Sequence, residues 1–119
     1  MNTDEKITRK KMIELLNEDL AREYQAIIAY TIYSQTIKGA AYNHIAAELE
    51  VHASEELGHA IAIAQQIDYL NGTPTNKPKD VKRQETAGGM LRFDLETEKR
   101  TTRNIRRRAA QRDGPRDIG

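Results

Sequence analysis

The chain has 119 residues, a formal net charge of +1 and no cysteine, which suits one domain and excludes disulfides, thiolate zinc sites and cysteine-held iron–sulfur clusters. Any metal held by this chain therefore meets oxygen and nitrogen. No apolar run approaches the roughly 18 residues of a membrane span, and the N-terminal stretch lacks the short apolar core of a secretory signal, so a cytoplasmic protein without a membrane segment is expected. The small net charge hides an asymmetry. Residues 1–98 carry 11 Lys and Arg against 16 Asp and Glu, a balance of −5, whereas residues 99–119 carry 8 against 2, a balance of +6.

Ile13, Leu16, Leu20, Ile27 and Ile28 recur at helical spacing with no internal Gly or Pro, predicting a first helix over about 8–38. Gly39 stands where a C-terminal cap belongs. A second periodic stretch over about 41–70 carries Ile45, Leu49, His52, Glu56 and His59, and Asn71-Gly72-Thr73-Pro74 ends it. Residues 76–83 are polar, contain Pro78 and show no period, which predicts a long crossover rather than a tight turn. A third helix is expected over about 85–111, with Met90, Leu91, Leu95 and Glu98 near one face, although Gly88 and Gly89 weaken its start. The fold class is thus all-α, with one domain over 1–111 and an irregular tail over 112–119.

Glu56 and His59, three residues apart, lie one turn from each other on one helix face and can offer an oxygen and a nitrogen to one ion. A Glu from the first helix, Glu23, makes these three half of a carboxylate-bridged metal centre of the kind ferrous iron accepts. His44 pairs by spacing with Glu48. His52, one turn before Glu56, stands open between surface pairing, ligation and proton handling. A zinc hydrolase is disfavoured, because the His-Glu-x-x-His pattern is absent.

Over about residues 15–108 these segments resemble the ferritin superfamily, most nearly bacterioferritin and bacterial ferritin-like di-iron proteins. The segment from Asn17 to Tyr30 resembles the family's first-helix stretch, with an iron-ligand Glu matched by Glu23 and a Tyr near the centre matched by Tyr30. Glu55-Glu56-Leu57-Gly58-His59-Ala60 is similar to its Glu-x-x-His segment, and the segment from Met90 to Glu98 to the start of its third helix. The resemblance implies a ferritin-like bundle in which Glu23, Glu56, His59 and Glu98 hold iron, with Tyr30 hydrogen-bonded to the site or supplying an electron. It implies oxidation of Fe(II) to Fe(III) by O₂ or peroxide for iron storage or detoxification, a ferroxidase activity if the site assembles. Haem is not expected, because Leu57 stands where the family's axial Met would be.

The resemblance departs at the family's fourth helix, whose second Glu-x-x-His has no counterpart. Four of six expected protein ligands remain, and the apolar stripes of a three-helix bundle need a cover. Self-association, at least to a dimer, is the expected answer, with two chains sharing a two-iron site. The alternatives are an inactive remnant docking on full-length ferritin subunits, or nucleic-acid binding through Arg100, Arg103, Arg106, Arg107, Arg108 and Arg112. For the latter no interleaved aromatics support base stacking, and cations near a helix C-terminus are favourable on their own.

Overall fold

The computed structural model describes residues 7–113. They form three long helices, α1 (Arg9–Thr36), α2 (Asn43–Tyr69) and α3 (Ala87–Asp113), with a short 3₁₀ turn at Ala40–Tyr42. The all-helical ferritin-like fold expected from the sequence is the fold observed.

Helix α1 starts where the Thr8 hydroxyl accepts a hydrogen bond from the Lys11 amide at 3.1 Å, satisfying one orphan donor of the first turn. Its buried positions, Met12, Leu16, Leu20, Glu23, Ala26, Tyr30 and Tyr33, advance by three or four residues and form one continuous stripe. The helix ends at Thr36, before Gly39, whose φ of +111° lies where a side chain is strained. Helix α2 ends with Asn71 at φ +66°, donating to the Asp68 carbonyl, while Gly72 donates to the Ile67 carbonyl at 2.9 Å. This pair of bonds closes the last turn and satisfies its carbonyls. A Cβ on Gly72 would stand 2.7 Å from Ile13 Cγ2, so the turn closes directly against α1.

The connection from α2 to α3 is the expected crossover, and it is held by hydrogen bonds along α1 rather than by secondary structure of its own. Asn17 donates to the Thr73 carbonyl, the Lys79 amide to the Ala21 carbonyl, Gln25 to the Asp80 carbonyl, and the Tyr33 hydroxyl to the Lys82 carbonyl. The chain therefore travels in the direction of α1 and delivers the start of α3 beside Tyr30 and Tyr33. From there α3 runs antiparallel to α1, which packs against both other helices.

Two apolar clusters result. One gathers Ala26, Ala29, Tyr30, Tyr33, Leu49 and Met90, with Phe93 edge-on to both tyrosines. The other gathers Met12, Leu16, Leu20, Ala60 and Ile67. Leu20 and Leu49 are fully buried, each contributing about 1.5–3 kcal/mol by removal from water. Glu23 and Glu56 lie between the clusters.

Three expectations need correction. Leu95 is 58% exposed, and the face α3 turns inward is Met90, Phe93 and Thr97, set by edge-on contact of Phe93 with the tyrosines. Ile28, one residue past the Ile27 that packs in the second cluster, is also exposed. The helical part of α3 extends through Asp113, so the irregular tail expected from 112 begins inside the helix, and residues 114–119 lie outside the described residues. No helix among the described residues is long and apolar enough to cross a membrane.

Candidate metal centre

Helix α1 supplies Glu23, and α2, running antiparallel beside it, supplies Glu56 and His59 one turn apart. Both carboxylates are buried, Glu56 at 1% exposure and Glu23 at 7%, whereas the His59 side chain is 40% exposed at the edge. The His59 Nδ1 stands 3.7 Å from Glu23 Oε2 and 3.6 Å from Glu56 Oε2. These are too long for hydrogen bonds. All three atoms are buried and lack any hydrogen-bond partner.

Orphaned buried polar atoms cost free energy, a cost that a cation bound between them would offset. Ligands about 2.1 Å from one ion stand about 3 to 4.2 Å apart, depending on the angle between them. Both separations from His59 fall in that range, and all three ligand atoms lie within 4.8 Å of one another, so the residues could hold a metal ion through two oxygens and a nitrogen. Burial pushes the Glu56 carboxyl above its ordinary range, and the nearby Glu98 and Asp94 push it further, against the pull of His59. A bound cation would reverse that balance.

Glu98 does not join these three. It belongs to a second group with His52 and Asp94, whose ligand atoms lie within 4.8 Å of one another. His52 Nδ1 is 2.8 Å from Asp94 Oδ1 and 3.9 Å from Glu98 Oε1. When Nδ1 carries the proton of the short bond, Nε2 carries the lone pair. Tyr30, fully buried, donates its hydroxyl to the same Asp94 oxygen at 2.9 Å and meets the His52 ring edge-on. Burial and the Asp94 charge push the Tyr30 pKa far up, so the phenol stays protonated and remains a donor. Tyr30 thus touches the second group rather than Glu23.

Sequence reasoning passed over Asp94. A signal was present, since Asp94 precedes Glu98 by one turn and shares its face. His44 pairs with Glu48 at 3.2 Å on the exposed surface, as its spacing suggested.

Four similarities bear on this geometry. A family model of the ferritin-like domain matches residues 13–118. A bacterial ferritin of Pseudomonas aeruginosa is 32% identical over 89 residues, covering 75% of this chain and 58% of the relative. A bacterioferritin of Desulfovibrio desulfuricans is 33% identical over 69 residues, covering 58% of this chain and 38% of the relative. This chain therefore spans less than two thirds of the length of either curated relative. A solved structure of a ferritin-like, diiron-carboxylate protein from Bacillus anthracis superposes with a TM-score of 0.81 at 38% identity, covering 93% of this chain and 77% of that one. The family model spans most of the chain, and the chain therefore belongs to the ferritin-like domain family.

Proposed function

We propose that this protein binds and oxidises Fe(II), with Glu23, Glu56 and His59 holding the first ion and His52, Asp94 and Glu98 available to a second. The observation that carries this reading is the set of three buried, unpartnered ligand atoms on Glu23, Glu56 and His59. Iron is substrate and cargo here, and the diiron-carboxylate family is the reason to name it over other divalent ions.

Two ferrous ions lose one electron each to O₂ or peroxide. Either oxidant takes the two electrons with two protons, O₂ ending as hydrogen peroxide and peroxide as water. The carboxylates bind and position the ions, and their negative charge favours the ferric product. The Tyr30 hydroxyl holds Asp94 in place, and the hydrophobic cluster around Tyr30 and Tyr33 limits water on that side.

The working unit is a homo-oligomer, at least a dimer. Leu57 and Ile61 form an exposed apolar stripe on α2, and Ile28 and Ile32 form another on α1. Such stripes are what a second copy would cover. Iron storage or detoxification is the role that follows.

Anaerobic Fe(II) titration read by native mass spectrometry, for the wild type and Glu56→Ala, tests the proposal. Bound iron in an oligomer, lost in the variant, supports it. An iron-free wild type would sink it and leave a protein that binds partners without redox chemistry.

A further inference from the structure

Between α1 and α3, on the side of the crossover, lies a polar groove of about 670 Å³. Its walls carry Arg22 from α1, Lys79 from the connection, and Arg100, Arg103 and Arg107 from one face of α3; Glu18 is the one carboxylate among its lining residues. Among the described residues, no carboxylate lies within ion-pair distance of Lys79, Arg100, Arg103 or Arg107. Arg108, also in the wall, is already committed to Asp19.

This concentration of charge stands against an acidic body. Like charges three and four residues apart on a helix repel, so the row of Arg100, Arg103 and Arg107 costs stability until an anion neutralises it. The main chain at Lys79 is anchored to α1, its amide donating to the Ala21 carbonyl at 3.0 Å. The α3 row spans about 10 Å along the helix axis, which suits an elongated anion over a compact one. Guanidinium forks match phosphoryl oxygens in pairs. No aromatic residue lines the groove, so nothing there would stack a nucleobase.

The groove also reaches the metal centre. Arg22, Gln25, Arg100 and Asn104 line both the groove and the small crevice that contains Glu23 and Glu56. We propose that the groove between α1 and α3 is a binding site for phosphoryl oxyanions, inorganic phosphate and short polyphosphates, placed beside the centre formed by Glu23 and Glu56. The site is a property of the metal-free chain and stands whether or not iron is the metal.

Isothermal titration of the metal-free protein with sodium tripolyphosphate and with sodium phosphate tests it. Arg103→Ala/Arg107→Ala removes two groove charges. Lys99→Ala/Arg106→Ala removes the same net charge from exposed positions of α3 outside the groove. Lys79→Gln, off the helix, guards against a loss of α3 structure, with circular dichroism as the check. The expected result is tripolyphosphate binding tighter than phosphate, weakened about tenfold by the groove double variant, less by Lys79→Gln, and about twofold or less by the control. Equal weakening by both double variants would mean diffuse attraction and overturn the site. So would the absence of wild-type binding, or tighter binding of a single-stranded DNA trinucleotide, which would assign the groove to nucleic acid.

Discussion

Arg108 grips Asp19 with two parallel hydrogen bonds, Nε to Oδ2 at 2.7 Å and Nη2 to Oδ1 at 3.0 Å, across 89 residues of sequence. Both side chains are largely buried, at 13% and 6% exposure, and the pair ties the far end of α3 to the middle of α1. Arg22 adds a longer contact to Asp19 at 3.9 Å.

Removing one partner alone strands the other charge. Arg108→Met is expected to lower stability by about 3 kcal/mol, whereas the double change Asp19→Leu/Arg108→Met recovers most of the loss, because neither charge then needs hydration. Urea midpoints of the three proteins check this. A double variant as unstable as the single would show that the pair contributes more than its own desolvation costs.

Asp19 also sets a pH dependence. Burial raises its pKa above the ordinary 3.8, outweighing the opposing hydrogen bonds and charge of Arg108. A raised folded pKa means that the folded chain holds the proton more tightly than the unfolded one. Its stability contribution is then fully present below 3.8 and lost as pH rises through the folded value. The wild type should gain thermal stability relative to Asp19→Asn as pH falls from 7 toward 4, read from paired melting curves. A gap that shrinks on acidification would mean that Arg108 prevails over burial.

Tyr30 and His52 converge on one oxygen of Asp94. Tyr30→Phe should cost about 1 kcal/mol, the value of a hydrogen bond whose acceptor keeps a second partner. It should slow Fe(II) oxidation while leaving the number of bound ions unchanged. His52→Ala should remove one bound ion while leaving the Glu23, Glu56 and His59 group intact. Stopped-flow absorbance and iron counting separate these effects, and identical behaviour of the two variants would count against distinct roles.

Leu57 and Ile61 stand one turn apart on α2, each about half exposed. Leu57→Lys/Ile61→Lys should leave the helical content of the chain unchanged and shift it toward the monomer in light scattering. An unchanged assembly would place the interface elsewhere, with the Ile28 and Ile32 stripe as the next surface to test.

The helices were legible because their signals are local. Periodicity placed all three to within about two residues at each end, and Glu56 and His59 share a face by spacing alone. The crossover was legible from Pro78 and the missing period. What lay outside the sequence was pairing between distant segments. The inward face of α3 depends on Phe93 meeting Tyr30 and Tyr33, so the exposure of Leu95 could not be read from its own helix. The separation of Glu98 from Glu23, and its grouping with His52 and Asp94, likewise depend on how α3 sits against α1 and α2. Asp19 and Arg108 show the same limit, since no short-range pattern marks a partner 89 residues away.

The strap from Thr73 to Lys82 holds on to α1 mainly by polar bonds, whereas α1 and α2, adjacent in the chain, pack through apolar clusters on both sides of Glu23 and Glu56. The two candidate ion seats therefore do not depend on the same parts of the molecule. Glu23, Glu56 and His59 all sit on the α1–α2 hairpin, so their seat can form before α3 arrives and outlast its departure. The seat of His52, Asp94 and Glu98 exists only while α3 is docked. On the proposed two-ion reading, loosening of the strap would release one ion and retain the other, an order of loading that follows from the topology.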